Sequence, residues 1–130
     1  MNPSPGKQRI LIVDDDRDMV TLLAAAIRAA GFEVIPAEDA MQGLRIAMRE
    51  RPALIVADLQ MPAGGGRGLL ERLAVPEQTR NVPILVVTGT IDPSREQEVL
   101  AAGARKVLFK PVDPAQVVAA IREMLGQRES

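Results

Sequence analysis

The chain of 130 residues has no cysteine, no histidine, no tryptophan and no tyrosine, and only two phenylalanines. Without cysteine there are no disulfides and no thiolate metal sites. Without histidine the commonest metal ligand and general base is gone, and with it any Ser/His/Asp hydrolase. A flavin pocket would find only Phe32 and Phe109 as aromatic platforms, which argues against one. Acidic and basic residues nearly balance, 17 against 16. The formal net charge is -1, with no basic excess to neutralise nucleic-acid phosphates, so no direct nucleic-acid binding is expected. No apolar run approaches the ~20 residues of a membrane span. Met1–Gln8 has no signal-peptide stretch, so a cytoplasmic protein with no membrane contact is expected.

What remains is an aliphatic chain, 47% hydrophobic and 2% aromatic. Its length suits one domain of the usual ~100–150 residues. Residues 1–7, with Asn2-Pro3-Ser4-Pro5-Gly6, read as a loose lead, 8–126 as the domain and 127–130 as a tail. Short apolar runs alternate with helical patterns. The first helix carries Met19, Leu22, Leu23, Ala26, Ile27 and Ala30 on one face and ends at Gly31, where a left-handed residue belongs. Phe32–Pro36 reads as a short peripheral strand, followed by a helix capped by Asp39, bearing Leu44, Ala47 and Met48, and ended by Pro52. Gly64-Gly65-Gly66 should loosen the chain before a short helix around Leu69, Leu70 and Leu73. Asp92-Pro93 and Asp113-Pro114 each join an N-cap to proline at the first helical position, and start helices running to about Ala102 and Leu125. Five strands and five helices in alternation predict a doubly wound α/β fold.

The chemistry gathers at strand ends. Ile10-Leu11-Ile12-Val13 leads into Asp14-Asp15-Asp16, and Leu54-Ile55-Val56-Ala57 into Asp58. Unbroken apolar runs mark strands of a parallel sheet, and ligands of such sheets bind beyond the carboxyl ends of the strands. Carboxylates ~4 Å apart repel by roughly 4 kcal/mol at an effective dielectric of about 20, so the cluster needs a cation or a proton. An oxygen-only donor set suits Mg2+. Two further runs end in Thr88-Gly89 and Lys110-Pro111, adding a hydroxyl and an ammonium. The glycines at 64–66 match neither the P-loop nor the Rossmann fingerprint. Taken without the other motifs, Asp58 could equally be a loop or N-cap aspartate, and Asp16 a solvated helix start.

Together, Val13-Asp14-Asp15, Asp58-Leu59-Gln60-Met61-Pro62 with Gly66, Val87-Thr88-Gly89 and Lys110-Pro111 resemble the receiver domain of two-component response regulators. The resemblance implies a flavodoxin-like (βα)5 fold with strand order 2-1-3-4-5. It further implies that Asp58 is the phosphoacceptor, that Thr88 bonds a phosphoryl oxygen and that Lys110 offsets its charge. Mg2+ would be held by Asp15 directly, by Asp14 through water, by Asp58 and by the backbone carbonyl of Gln60. Gly89 would leave room for the phosphoryl group, Lys110-Pro111 would be cis, and Gln60 and Thr90 fall where the family tunes phosphoryl lifetime.

The implied partners are a histidine kinase or histidine phosphotransfer protein and an unknown output protein, with a homodimer through the fourth helix, fifth strand and fifth helix as a further expectation. The chain departs from the family at Val107, where receivers carry a tyrosine or phenylalanine that changes rotamer. A stiff β-branched side chain sweeps less volume, so transmission is expected through the backbone after Thr88. Phe109 reads as core. The expected function is a stand-alone phosphorylation switch, not an enzyme, with three alternatives: a receiver cut from a larger regulator or hybrid kinase, a degenerate receiver binding constitutively, or a small Mg2+-dependent aspartyl-phosphate phosphatase. The last lacks an acid two residues after Asp58, where Gln60 stands.

Overall fold

The computed structural model describes residues 7–60, 65–89 and 92–127. The lead 1–6, Met61-Pro62, Gly64, Thr90 and the tail from 128 onward lie outside the described residues. The elements run β1 (Arg9–Val13), α1 (Arg17–Ala29), β2 (Glu33–Ala37), α2 (Ala40–Glu50), β3 (Leu54–Ala57), α3 (Gly65–Leu73), β4 (Ile84–Thr88), α4 (Pro93–Ala101), β5 (Lys106–Phe109) and α5 (Pro114–Met124). The sheet is parallel throughout, in the order β2-β1-β3-β4-β5. This is the flavodoxin-like order.

Alternation of side chains across each strand divides the core into two layers. Leu11, Val13, Ile55, Ala57, Ile84 and Val86 face α2, α3 and α4. Ile10, Ile12, Leu54, Val56, Leu85 and Val87 face α1 and α5. Because β1, β3 and β4 are covered on both sides, they carry no polar residue until their ends. The helix starts follow their caps: Asp16, Asp39, Asp92 and Asp113 each accept backbone N–H groups, and Gln116 completes a capping box with Asp113. Gly31, at φ +101°, follows the end of α1 in the left-handed conformation expected of it.

Packing corrects several details of the sequence reading. On α1 the buried residues are Leu23, Ala24 and Ile27, and Leu22 is turned to solvent, because the stripe that meets the sheet also meets α5. On α2 they are Gly43, Ile46 and Ala47, with Met48 exposed. Gly43 explains that rotation. A Cβ there would lie 2.8 Å from Val13 Cγ2, so the helix turns its smallest residue to the strand. The glycine run does not all precede α3: Gly65 and Gly66 belong to the helix, and burial of Leu69, Leu70 and Leu73 outweighs their poor propensity. Phe109 is only partly buried and belongs to neither core layer, since β5 is an edge strand.

Candidate functional site at the carboxyl edge

The register builds the site. Val13 of β1 pairs with Ala57 of β3, so Asp14 and Asp58 leave adjacent strands side by side, at the ~4.8 Å spacing of neighbouring strands. Backbone bonds continue past the last pairs: Asp14 N–H donates to Ala37 O at 3.1 Å, Asp58 N–H to Val13 O at 3.0 Å and Lys110 N–H to Thr88 O at 2.6 Å. Beside the core, the described residues include only four buried polar side chains, and three of them, Asp14, Asp58 and Thr88, lie here. The fourth, Thr79, is satisfied by Leu73 O at 2.8 Å.

Both carboxylate oxygens of Asp58 accept hydrogen bonds. Oδ1 accepts from the Thr88 hydroxyl at 2.9 Å and from Gln60 N–H at 2.9 Å. Oδ2 accepts from Lys110 Nζ at 3.1 Å, and the same ammonium reaches Asp14 Oδ2 at 3.2 Å. Asp14 Oδ1 accepts from Asp16 N–H at 2.9 Å. Carboxylate oxygens of Asp14, Asp15 and Asp58 can be chosen within 4.8 Å of one another, Asp15 being exposed. One ammonium among three carboxylates leaves a net negative centre. Burial, reinforced by the charge of Asp58, raises the Asp14 pKa above the usual carboxylate range even though Asp16 N–H and Lys110 work against it. Burial acts to lower the Lys110 pKa, but the hydrogen bond to Asp58 and the charges of both aspartates outweigh it, and the ammonium is held above its ordinary value.

A hard divalent cation fits this donor set, because it would supply the positive charge that Lys110 alone does not. The site therefore gathers Asp14, Asp15, Asp58, Thr88 and Lys110, the residues singled out from sequence, and Lys110-Pro111 is cis. Asp16 serves as the N-cap of α1, accepting from the Asp18 and Met19 N–H groups. One link was missed. The side-chain oxygen of Gln60 accepts from Gly89 N–H at 3.0 Å, across two strand ends, a contact for which spacing alone gives no signal.

Comparison with known proteins agrees with this geometry. The family model for the response regulator receiver domain matches residues 10–122. The transcriptional regulatory protein PrrA of Mycobacterium tuberculosis is 35% identical over 122 residues, which cover 94% of this chain and 52% of the relative. This chain thus spans about half the length of such curated relatives. A CheY-like receiver domain protein from Methanospirillum hungatei superposes with a TM-score of 0.86 at 30% identity, covering 93% of this chain and 95% of that one. The receiver domain of a sensor histidine kinase from Pseudomonas aeruginosa, whose structure has a magnesium ion coordinated in the active site cleft, gives 0.84 at 28% identity, covering 94% and 100%. With the strand order, the acidic cluster and this match in agreement, the chain belongs to the response regulator receiver domain family.

Proposed function

We propose that Asp58 is the residue that accepts the phosphoryl group. The observation that carries this reading is the partnering of its carboxylate: a buried aspartate at the centre of the edge, with a hydroxyl on one oxygen and an ammonium on the other. In the transfer, one Asp58 oxygen attacks phosphorus and the bond from phosphorus to the donor nitrogen or oxygen breaks, its electron pair leaving with the donor. The Thr88 hydroxyl then turns from Asp58 to a phosphoryl oxygen, and the Lys110 ammonium offsets charge that builds on the others. Asp14, Asp15, Asp58 and the Gln60 carbonyl would hold Mg2+, which supplies charge neutralisation and orientation when bound.

A histidine kinase or histidine phosphotransfer protein is the donor this chemistry suits, and a phosphorylation-dependent protein contact is the output, with the α4–β5–α5 face available for a second copy. The phosphatase alternative is less well supported: Gln60 uses its side chain on Gly89, and Asp16 is committed to the α1 cap.

Incubation with acetyl phosphate and magnesium, followed by intact mass measurement, tests the assignment. One added phosphoryl group is expected, absent in Asp58→Asn. A phosphoryl group trapped on Asp14 or Asp15 would overturn it. Magnesium titration by calorimetry should show weaker binding for Asp15→Asn than for the parent.

A further inference from the structure

The link between Gln60 and Gly89 carries an inference of its own. Gln60 is held at both ends. Its backbone N–H donates to Asp58 Oδ1 at 2.9 Å, and its side-chain Oε1 accepts from Gly89 N–H at 3.0 Å. Thr88, next to Gly89, donates to the same Asp58 oxygen at 2.9 Å. A closed ring of hydrogen bonds thus runs from Asp58 through Gln60 and Gly89 to Thr88 and back to Asp58. The amide lies against Gly89 so closely that a Cβ added to that glycine would collide with Oε1. Gly89 is not in the left-handed region, so its backbone does not by itself demand glycine. The requirement comes from the glutamine.

We infer that the Gln60 side chain is a positioning residue, a clasp that holds Gly89 N–H and ties the end of β3 to the end of β4 while Asp58 is unmodified. The inference rests on the reading of Asp58 as acceptor. A phosphoryl group on Asp58 brings oxygens into the space that Thr88 and Gly89 border, and Gly89 N–H is the backbone donor next to the Thr88 hydroxyl. One donor serves one strong acceptor, so a phosphoryl oxygen and Gln60 Oε1 compete for it. Gln60 is exposed, and its amide can swing into water, where its hydrogen bonds are replaced. Modification of Asp58 therefore releases the Gln60 amide and transfers Gly89 N–H to the phosphoryl group, which shifts the end of β4 from which the chain continues to α4. In a chain with Val107 where the family carries an aromatic ring, this release supplies a route from the acceptor to the neighbouring helix that needs no ring rotation.

Two variants break the clasp by different means. Gln60→Met keeps the length of the side chain without the acceptor. Gly89→Ala pushes the amide aside, a small displacement because Oε1 is the tip of a flexible side chain. Gln60→Glu keeps an acceptor at the same reach and serves as the rescue. The first readout, on the unmodified protein, is hydrogen exchange at the Gly89 amide. A net hydrogen bond of ordinary strength corresponds to about a fivefold change, so exchange should quicken by roughly that factor in Gln60→Met and return toward the parent rate in Gln60→Glu.

The second readout is the concentration of beryllofluoride, a phosphoryl mimic, that half-saturates each protein in magnesium, with Asp58→Asn as the control. Gln60→Met and Gly89→Ala should saturate at a concentration lower by about two- to fivefold, since they have no clasp to displace. Exchange at Gly89 that is the same in the parent and Gln60→Met would overturn the clasp while leaving the acceptor assignment standing. Equal half-saturation of the parent and both variants would overturn the competition. A parent that binds no more beryllofluoride than Asp58→Asn would overturn the acceptor reading, and the displacement step with it.

Discussion

Helices α1 and α5 and helix α4 flank the same sheet but are held to it very differently. α1 buries Leu23, Ala24 and Ile27, and α5 buries Val117, Ala120 and Ile121, all in one layer against Ile10, Ile12, Leu85 and Val87. α4 buries Val99 alone. Burial of a Leu or Ile side chain is worth ≈1.5–3 kcal/mol, so the first pair is anchored several times over and α4 barely once. The contrast matters because α4 follows β4, whose last residue, Thr88, donates to Asp58. A change at Asp58 needs to move an element that is cheap to move, and elements with few buried apolar contacts open at low free energy.

The contrast can be broken most severely from the anchored side. Ile121, fully buried, should lose about 3–4 kcal/mol as Ile121→Ala, measured by urea unfolding. A loss below ~1 kcal/mol would mean that α5 is not an anchor. Val99→Ala removes two methyl groups and should cost about 1.5 kcal/mol by the same assay. Its distinctive effect should be local: exchange along 93–101 should quicken more than exchange in α1 and α5.

Next comes Asp92→Ala, which removes an N-cap that accepts from Arg95 N–H at 3.0 Å and should lower stability by less than Val99→Ala does. Exchange should again quicken most in α4. Val107→Ala, on the same side of the sheet, should lower stability without removing a phosphorylation response, whereas Thr88→Ala should remove the response while phosphoryl uptake at Asp58 continues.

The smallest effect is one of pH. The Ser94 hydroxyl and Arg95 N–H hold the exposed Asp92 carboxylate below the ordinary aspartate value. A depressed folded pKa means that the cap is fully present above the unfolded value of about 3.9 and is lost as pH falls through the folded one. Backbone carbon shifts of residues 93–96 should therefore drift away from helical values as pH is lowered below ~4, and in Asp92→Asn that drift should be absent.

The elements that could be read in advance were those with a local cause. Asp92-Pro93 and Asp113-Pro114 announced α4 and α5 because a cap and a fixed φ act within one turn, and Gly31 announced the end of α1 for the same reason. Leu22 and Met48 misled because periodicity gives a helix an apolar side without saying how that side is rotated against its neighbours. Gly65 and Gly66 misled because the burial of Leu69, Leu70 and Leu73 is a tertiary fact. Phe109 misled because alternation along a strand assigns a face but not the cover on that face, and β5 lies at an edge.

Local pattern was enough for the alternation of strands and helices, the helix caps and the residues at the strand ends. Each of these follows from side chains within a few positions of one another. That Lys110 Nζ bridges Asp14 and Asp58 at 3.2 and 3.1 Å, and that Gln60 reaches Gly89, came from the packing of the whole sheet. Those distances depend on the register and twist of strands far apart in the chain, and nothing in the local pattern of residues fixes how far one strand end stands from the next.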